Sequence, residues 1–179
     1  NIFLAVLITL FSFPIGGLNV SAEGKTYDDI KDGEYELTAK LLKEGTDETS
    51  AAADFMSDQV TLNVKDGNAA LTFFIPDNEA MNFGKFELAG EKPIIESGEG
   101  PGAGMFEGET VEGDYYTFKL KKVKQLLKSV VSYEVPMIGL VHDNVVMDIQ
   151  LVGLDELPTV PSKEDENLIQ SPDKSYKAN

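Results

Sequence analysis

An all-β fold, an immunoglobulin-like antiparallel sandwich of about eight strands with a short lip helix, is what this sequence predicts. Three observations carry that prediction. Short runs alternate apolar and polar residues with period two, as half-buried strands do. Turn signals such as Asp66-Gly67 separate the runs. Almost nothing carries helical periodicity, and no internal repeat is visible.

Ile2 to Leu18 is apolar and uncharged and runs into Val20-Ser21-Ala22. Residues 1–22 are therefore expected to be a secretory signal peptide, cleaved after Ala22. An uncleaved anchor is the weaker alternative, because the run is short and broken by Pro14 and Gly16-Gly17. The chain starts at Asn1 and lacks the basic start of a leader, so a fragment is expected at this end. The mature protein is then expected to be secreted or displayed on the cell wall, with no membrane insertion after cleavage.

The sandwich is expected over residues 27–153. Gly33 to Lys43 is a first strand, with Tyr35, Leu37, Ala39 and Leu41 on one face. The loop GTDETS follows, and Ser50 suits the cap of a short helical turn through Met56. Val60–Lys65 and Ala69–Ile75 form a hairpin, and Asn82–Leu88 is a further strand. Lys92–Ile95 is a weaker one. The glycine-rich, acidic stretch Glu96 to Gly113 reads as a long mobile loop. It is no phosphate cradle, since it leads no strand into a helix and is flanked by glutamates. Tyr115–Leu120 is a strand. Lys121–Lys128 reads as a short helix or loop whose lysines form a solvated face or, as the alternative, a small docking patch for an anionic partner.

Val135 to Leu151 is expected to be a hairpin. His142-Asp143-Asn144 supplies its turn, and Val145, Met147, Ile149 and Leu151 form the apolar face of its second strand. Beyond it, residues 154–179 mix prolines with charge and are expected to be a disordered spacer, with a wall anchor expected further on.

Composition narrows the function. With 179 residues and a 42% hydrophobic fraction, one domain has enough core to fold without staples. The chain has no cysteine, one histidine and a formal net charge of −16. That charge repels phosphate backbones, so nucleic acid is excluded as a partner, and it favours a soluble monomer. One histidine without cysteine cannot build a zinc site, and no nucleophile elbow or calcium loop is present. A binding module, not an enzyme, is expected.

Two separated pieces then resemble one family. Asp32-Gly33-Glu34-Tyr35-Glu36-Leu37, with Leu41 through Ser50, resembles the opening of a NEAT (near-iron-transporter) domain, in which a lysine–x–glycine–threonine loop leads to a lip serine. The strands of Val60 to Phe73 fit its next hairpin, and Val135-Pro136-Met137-Ile138 resembles the start of its last one. The resemblance implies a surface protein of Gram-positive bacteria in a haem and iron acquisition system. Haem or a haem-carrying protein is the implied partner. The resemblance further implies that Ser50 contacts a haem propionate, with Phe55 and Met56 as apolar lip contacts. Iron in this family is usually held by a Y-x-x-x-Y motif in the last hairpin. Laid on without gaps, those positions fall on Leu140 and Asn144, and a shift of one puts them on Gly139 and Asp143. The motif is therefore degenerate, and haem binding is expected to be weak or to use His142 or Met56 as the iron ligand. Ser50 as a plain helix cap and His142 as a plain turn residue are the alternatives. Tyr133 precedes Pro136 and falls on the other strand. A second function stays open: an adhesin or protein-interaction module on the same fold, with a host or surface protein as partner.

Overall fold

A computed structural model describes residues 25–160 apart from Ala80. The expected signal peptide and residues 161–179 lie outside the described residues.

Ten strands follow one another: β1 (Thr26–Tyr27), β2 (Gly33–Lys43), β3 (Gln59–Lys65), β4 (Asn68–Pro76), β5 (Asn82–Leu88), β6 (Ile94–Pro101), β7 (Thr110–Leu120), β8 (Val123–Lys124), β9 (Leu126–Val135) and β10 (Leu140–Val152). Eight of them form one antiparallel sheet in the order β5-β9-β10-β2-β3-β4-β7-β6, while β1 and β8 pair separately. The sheet rolls on itself into a sandwich. Phe86 on β5 and Phe118 on β7 lie on strands far apart in that order, yet their rings meet edge to face at 4.8 Å. Phe73 on β4 completes the cluster at 5.4 Å from Phe86 and 6.0 Å from Phe118. Edge-to-face pairs suit the ring quadrupoles and add to the burial of the rings themselves. The core continues through Leu62, Leu71, Leu88, Val131, Ile149 and Leu151, all fully buried.

Four expectations need correction. The stretch 96–113 is mostly strand: β6 and β7 pair from Ile94↔Thr117 to Pro101↔Thr110, and only the tip between them is loop. Two of its strand glycines make room for rings: a Cβ on Gly100 would lie 2.6 Å from the Phe74 ring and one on Gly98 3.2 Å from the Tyr115 ring. Met105 at the tip is 88% exposed. Lys121–Lys128 holds no helix: Lys121-Lys122 and Gln125 are bends around β8 and the start of β9, and two of its four lysines pair on the surface with the protein's own acids, Lys121 with Glu91 and Lys128 with Glu44. Residues 154–160 belong to the packed body and not to a spacer. Leu154 is buried, Thr159 bridges to Ile30, and the Val160 amide donates to the Asp29 carbonyl.

The fourth correction concerns the last hairpin. Its turn is the 3-10 segment Pro136–Ile138, closed by Gly139 in the left-handed conformation (φ 63°). Proline presets the first φ and glycine accepts the positive one, so this pair outcompetes the His-Asp-Asn sequence as the reversal. The latter becomes a bulge inside β10, where three steps from His142 to Val145 oppose two on β9. Asn144 takes the positive φ (53°), and its amide donates to Ser132 Oγ at 3.0 Å.

Candidate functional site

One end of the sandwich gathers the lip after β2, the 3-10 tip between β6 and β7, and the β9–β10 turn. The lip is a 3-10 turn, Ala51–Asp54, started by Ser50 as expected: Ser50 Oγ accepts from the Ala52 amide at 3.3 Å. The same hydroxyl donates to Met147 Sδ at 3.1 Å, which seats the lip on the inner face of β10. The loop leading to the lip is pinned from the other side. Gly45 donates its amide to Asp148 Oδ2 at 2.7 Å, and Lys128 Nζ stands 3.7 Å from Asp148 Oδ1. Asp148 is 5% exposed, so this carboxylate is held inside the fold by the loop it orders.

Beyond Met147, the inner face of β10 continues outward through Val145 and then, because of the bulge, through His142 and Leu140. Simple alternation would have turned His142 to the opposite face from Val145. The extra residue brings it back, opposite Tyr133 on β9. Tyr133 in turn lies opposite Phe83 on β5. Three strands thus carry one row of rings: Phe83 and Tyr133 are 6.4 Å apart, and Tyr133 and His142 are 4.8 Å apart with a 35° tilt. All three are half-buried, and Phe83 and Tyr133 pack on the core. Among the described residues no hydrogen-bond partner is found for the Tyr133 hydroxyl or for the His142 imidazole.

The predicted residues divide on these observations. Ser50 touches Met147 on β10, and His142 and Leu140 lie further along the same strand, Leu140 41% exposed. Phe55 is half-buried just past the lip turn. Met56 is withdrawn as an iron ligand, because it is 1% exposed and belongs to the core cluster. Asn144 forms the bulge, and its side-chain oxygen accepts from Lys85 Nζ at 3.1 Å, so it supports the strand. Tyr133, set aside in the sequence because it falls on the other strand, and Phe83, read there only as part of a strand, are the residues that join His142 here. Placing the turn at Pro136–Gly139 sets Tyr133 opposite His142, and that was the signal available.

A cavity of about 190 Å³, lined by residues including Met81, Phe83, Asp114 and Tyr116, opens beside this row. Burial, with Asp114 and Asp77 nearby, pushes the Tyr116 hydroxyl pKa up, so it stays protonated. The cavity is smaller than the roughly 300–1,000 Å³ of enclosed small-molecule sites. Exposed apolar side chains cluster at the same end: Met105, Met137, Ile138 and Val141. Among the described residues no cluster of acidic and histidine side chains is arranged to hold a bare metal ion.

A rolled β-sandwich with a serine-capped lip at one end and a row of rings on β5, β9 and β10 is the frame of the site. The sequence matches the NEAT family, the Iron Transport-associated domain, over residues 28–152, and the chain belongs to that family. Its fold is similar to that of the NEAT5 domain of IsdX2, a B. anthracis hemophore, solved in complex with heme. That match has 18% identity, covers 69% of this chain and 98% of that one, and has a TM-score of 0.49. A point mutant of IsdX2-NEAT5, also in complex with heme, matches at 18% identity and a TM-score of 0.50, covering 70% and 98% of the two chains. No curated protein matches the sequence.

Proposed function

We propose that this domain is an exported haem-binding module of a Gram-positive haem and iron acquisition system, a carrier and not an enzyme. Haem lies in the groove between the Ser50 lip and the β9–β10 hairpin. The observation that supports this most is the placement of the lip: Ser50 sits on Met147, and the inner face leads from there to the half-buried Tyr133–His142 pair. Membership of an iron-transport family, with a structural neighbour solved in complex with heme, supports the ligand class.

The available donors fit haem. A phenol and an imidazole both ligate haem iron, and here they stand on an apolar floor that is open to one side. Ser50 can turn its one hydroxyl proton from Met147 Sδ to a propionate, and Phe55 and Leu140 give the porphyrin faces apolar contact. The Y-x-x-x-Y positions fall on Leu140 and Asn144, which makes this site degenerate. Iron is then ligated from other residues of the hairpin strands, where Tyr133 and His142 are the half-buried donors, and binding is weaker than a dedicated tyrosine motif gives. Titration of the domain with ferric haem tests this. A shifted Soret band that saturates is expected, and a free-haem spectrum throughout would overturn it.

A second reading has its own observation. Met105, Met137, Ile138 and Val141 form an exposed apolar rim, and such patches mark interaction surfaces. On that reading the domain is an adhesin or interaction module whose hairpin tip docks a host or surface protein.

A further inference from the structure

We propose that Tyr133, on the strand preceding the usual motif, is the iron ligand of this domain, and that His142 is a positioning residue that holds its ring. This rests on the haem-binding reading above. Tyr133 occupies the middle of the three-strand row, with Phe83 in register on one side and His142 on the other. His142 lies against the phenol ring, at 4.8 Å between centroids and a 35° tilt. Phe83 flanks the other side at 6.4 Å. A ring held on both sides has little rotational freedom, and a strand side chain stands roughly perpendicular to its sheet. The side chain therefore stands off the same face of the sheet as Val131 and Met147, the face the Ser50 lip rests on. Among the described residues it makes no protein hydrogen bond that iron would have to displace.

His142 is less suited to ligation, since its ring is stacked on its neighbour. The bulge at Asp143-Asn144 serves this arrangement, because it turns His142 onto the Tyr133 face. Chemically, the phenol oxygen forms a bond to ferric iron as its O–H bond breaks, and the proton leaves to solvent at the open mouth. No electron is transferred. A phenolate is a hard anionic donor and favours the ferric state, as in haem proteins with a tyrosine ligand.

The test compares Tyr133→Phe, His142→Phe and His142→Ala, each checked for folding by circular dichroism and each titrated with ferric haem. Resonance Raman spectra report the iron–phenolate vibrations. Wild type is expected to bind saturably and to show those modes. Y133F is expected to lose the modes and about tenfold or more in affinity. H142F, which keeps an aromatic wall, should retain both, while H142A should bind about tenfold more weakly with altered modes. If H142F loses haem while Y133F keeps the wild-type spectrum, the ligand is His142. The inference then falls and the haem-binding reading stands. If wild type itself never saturates, both fall.

Discussion

Single residues at this site act through the neighbours they order. Asp148 is the clearest case. Its Oδ2 takes the Gly45 amide, and its Oδ1 has no hydrogen bond, only the Lys128 ammonium at 3.7 Å. A carboxylate buried this way is stabilising only while its partners remain. Asp148→Ala should leave the Gly45 amide without its acceptor and free the loop that carries the lip. A cost of about 1–3 kcal/mol is expected, read from urea unfolding, with faster amide exchange at Gly45 to Ser50. Unchanged exchange in that loop would show that β2 and Ser50 hold the lip without Asp148. Ser50 itself combines two roles, since the hydroxyl that caps the turn also touches Met147. The helix cap expected from sequence is present, and the same oxygen also anchors the lip to β10.

At the scale of elements, legibility follows how local the determining interaction is. The strand Gly33–Lys43 and the Asp66–Gly67 hairpin were readable because period-two alternation and a two-residue turn are local properties. The Ser50 cap was readable for the same reason. The stretch 96–113 was not, because its glycines answer to rings on other strands: Gly100 to Phe74, Gly98 to Tyr115. Glycine richness signals a loop only when no neighbour demands the missing Cβ. The last hairpin misled in a different way. Two sets of turn residues lie within nine positions, Pro136 to Gly139 and His142 to Asn144, and local chemistry favours either. Pairing with β9 decides between them, and with the turn its decision moves the face of His142. The site's aromatic row could not be read from one strand, because each of its members comes from a different one.

Across the whole molecule, the two ends of the sandwich differ in character. The lip end presents the groove and the apolar rim. At the far end β1 and β8 pair, and the segment after β10 is clasped down. There Lys25 Nζ contacts Asp155 Oδ1 at 2.6 Å and the Tyr27 hydroxyl donates to the same oxygen at 2.8 Å. These two hydrogen bonds, Lys25 first, hold the Asp155 carboxyl below its usual range. A depressed carboxylate contributes stability that is fully present above the unfolded pKa, about 3.9, and lost as pH falls through the folded one. The clasp should therefore loosen in acid. Asp155→Asn should flatten the fall of the urea midpoint between neutral and acidic pH. Equal slopes for both proteins would assign the acid sensitivity to other carboxylates. None of this reaches the groove, so D155N should bind haem as wild type does.

The central claim is that haem occupies the groove at the lip end of this domain. The most direct measurement is a map of backbone amide shifts as a diamagnetic gallium porphyrin is added to the labelled domain. Changes are expected at Ser50 to Phe55 and at Tyr133 to His142, with Asp66–Gly67 and Val123–Lys124 unmoved. Saturable changes centred on the far end, or none at the Tyr133–His142 row, would contradict it.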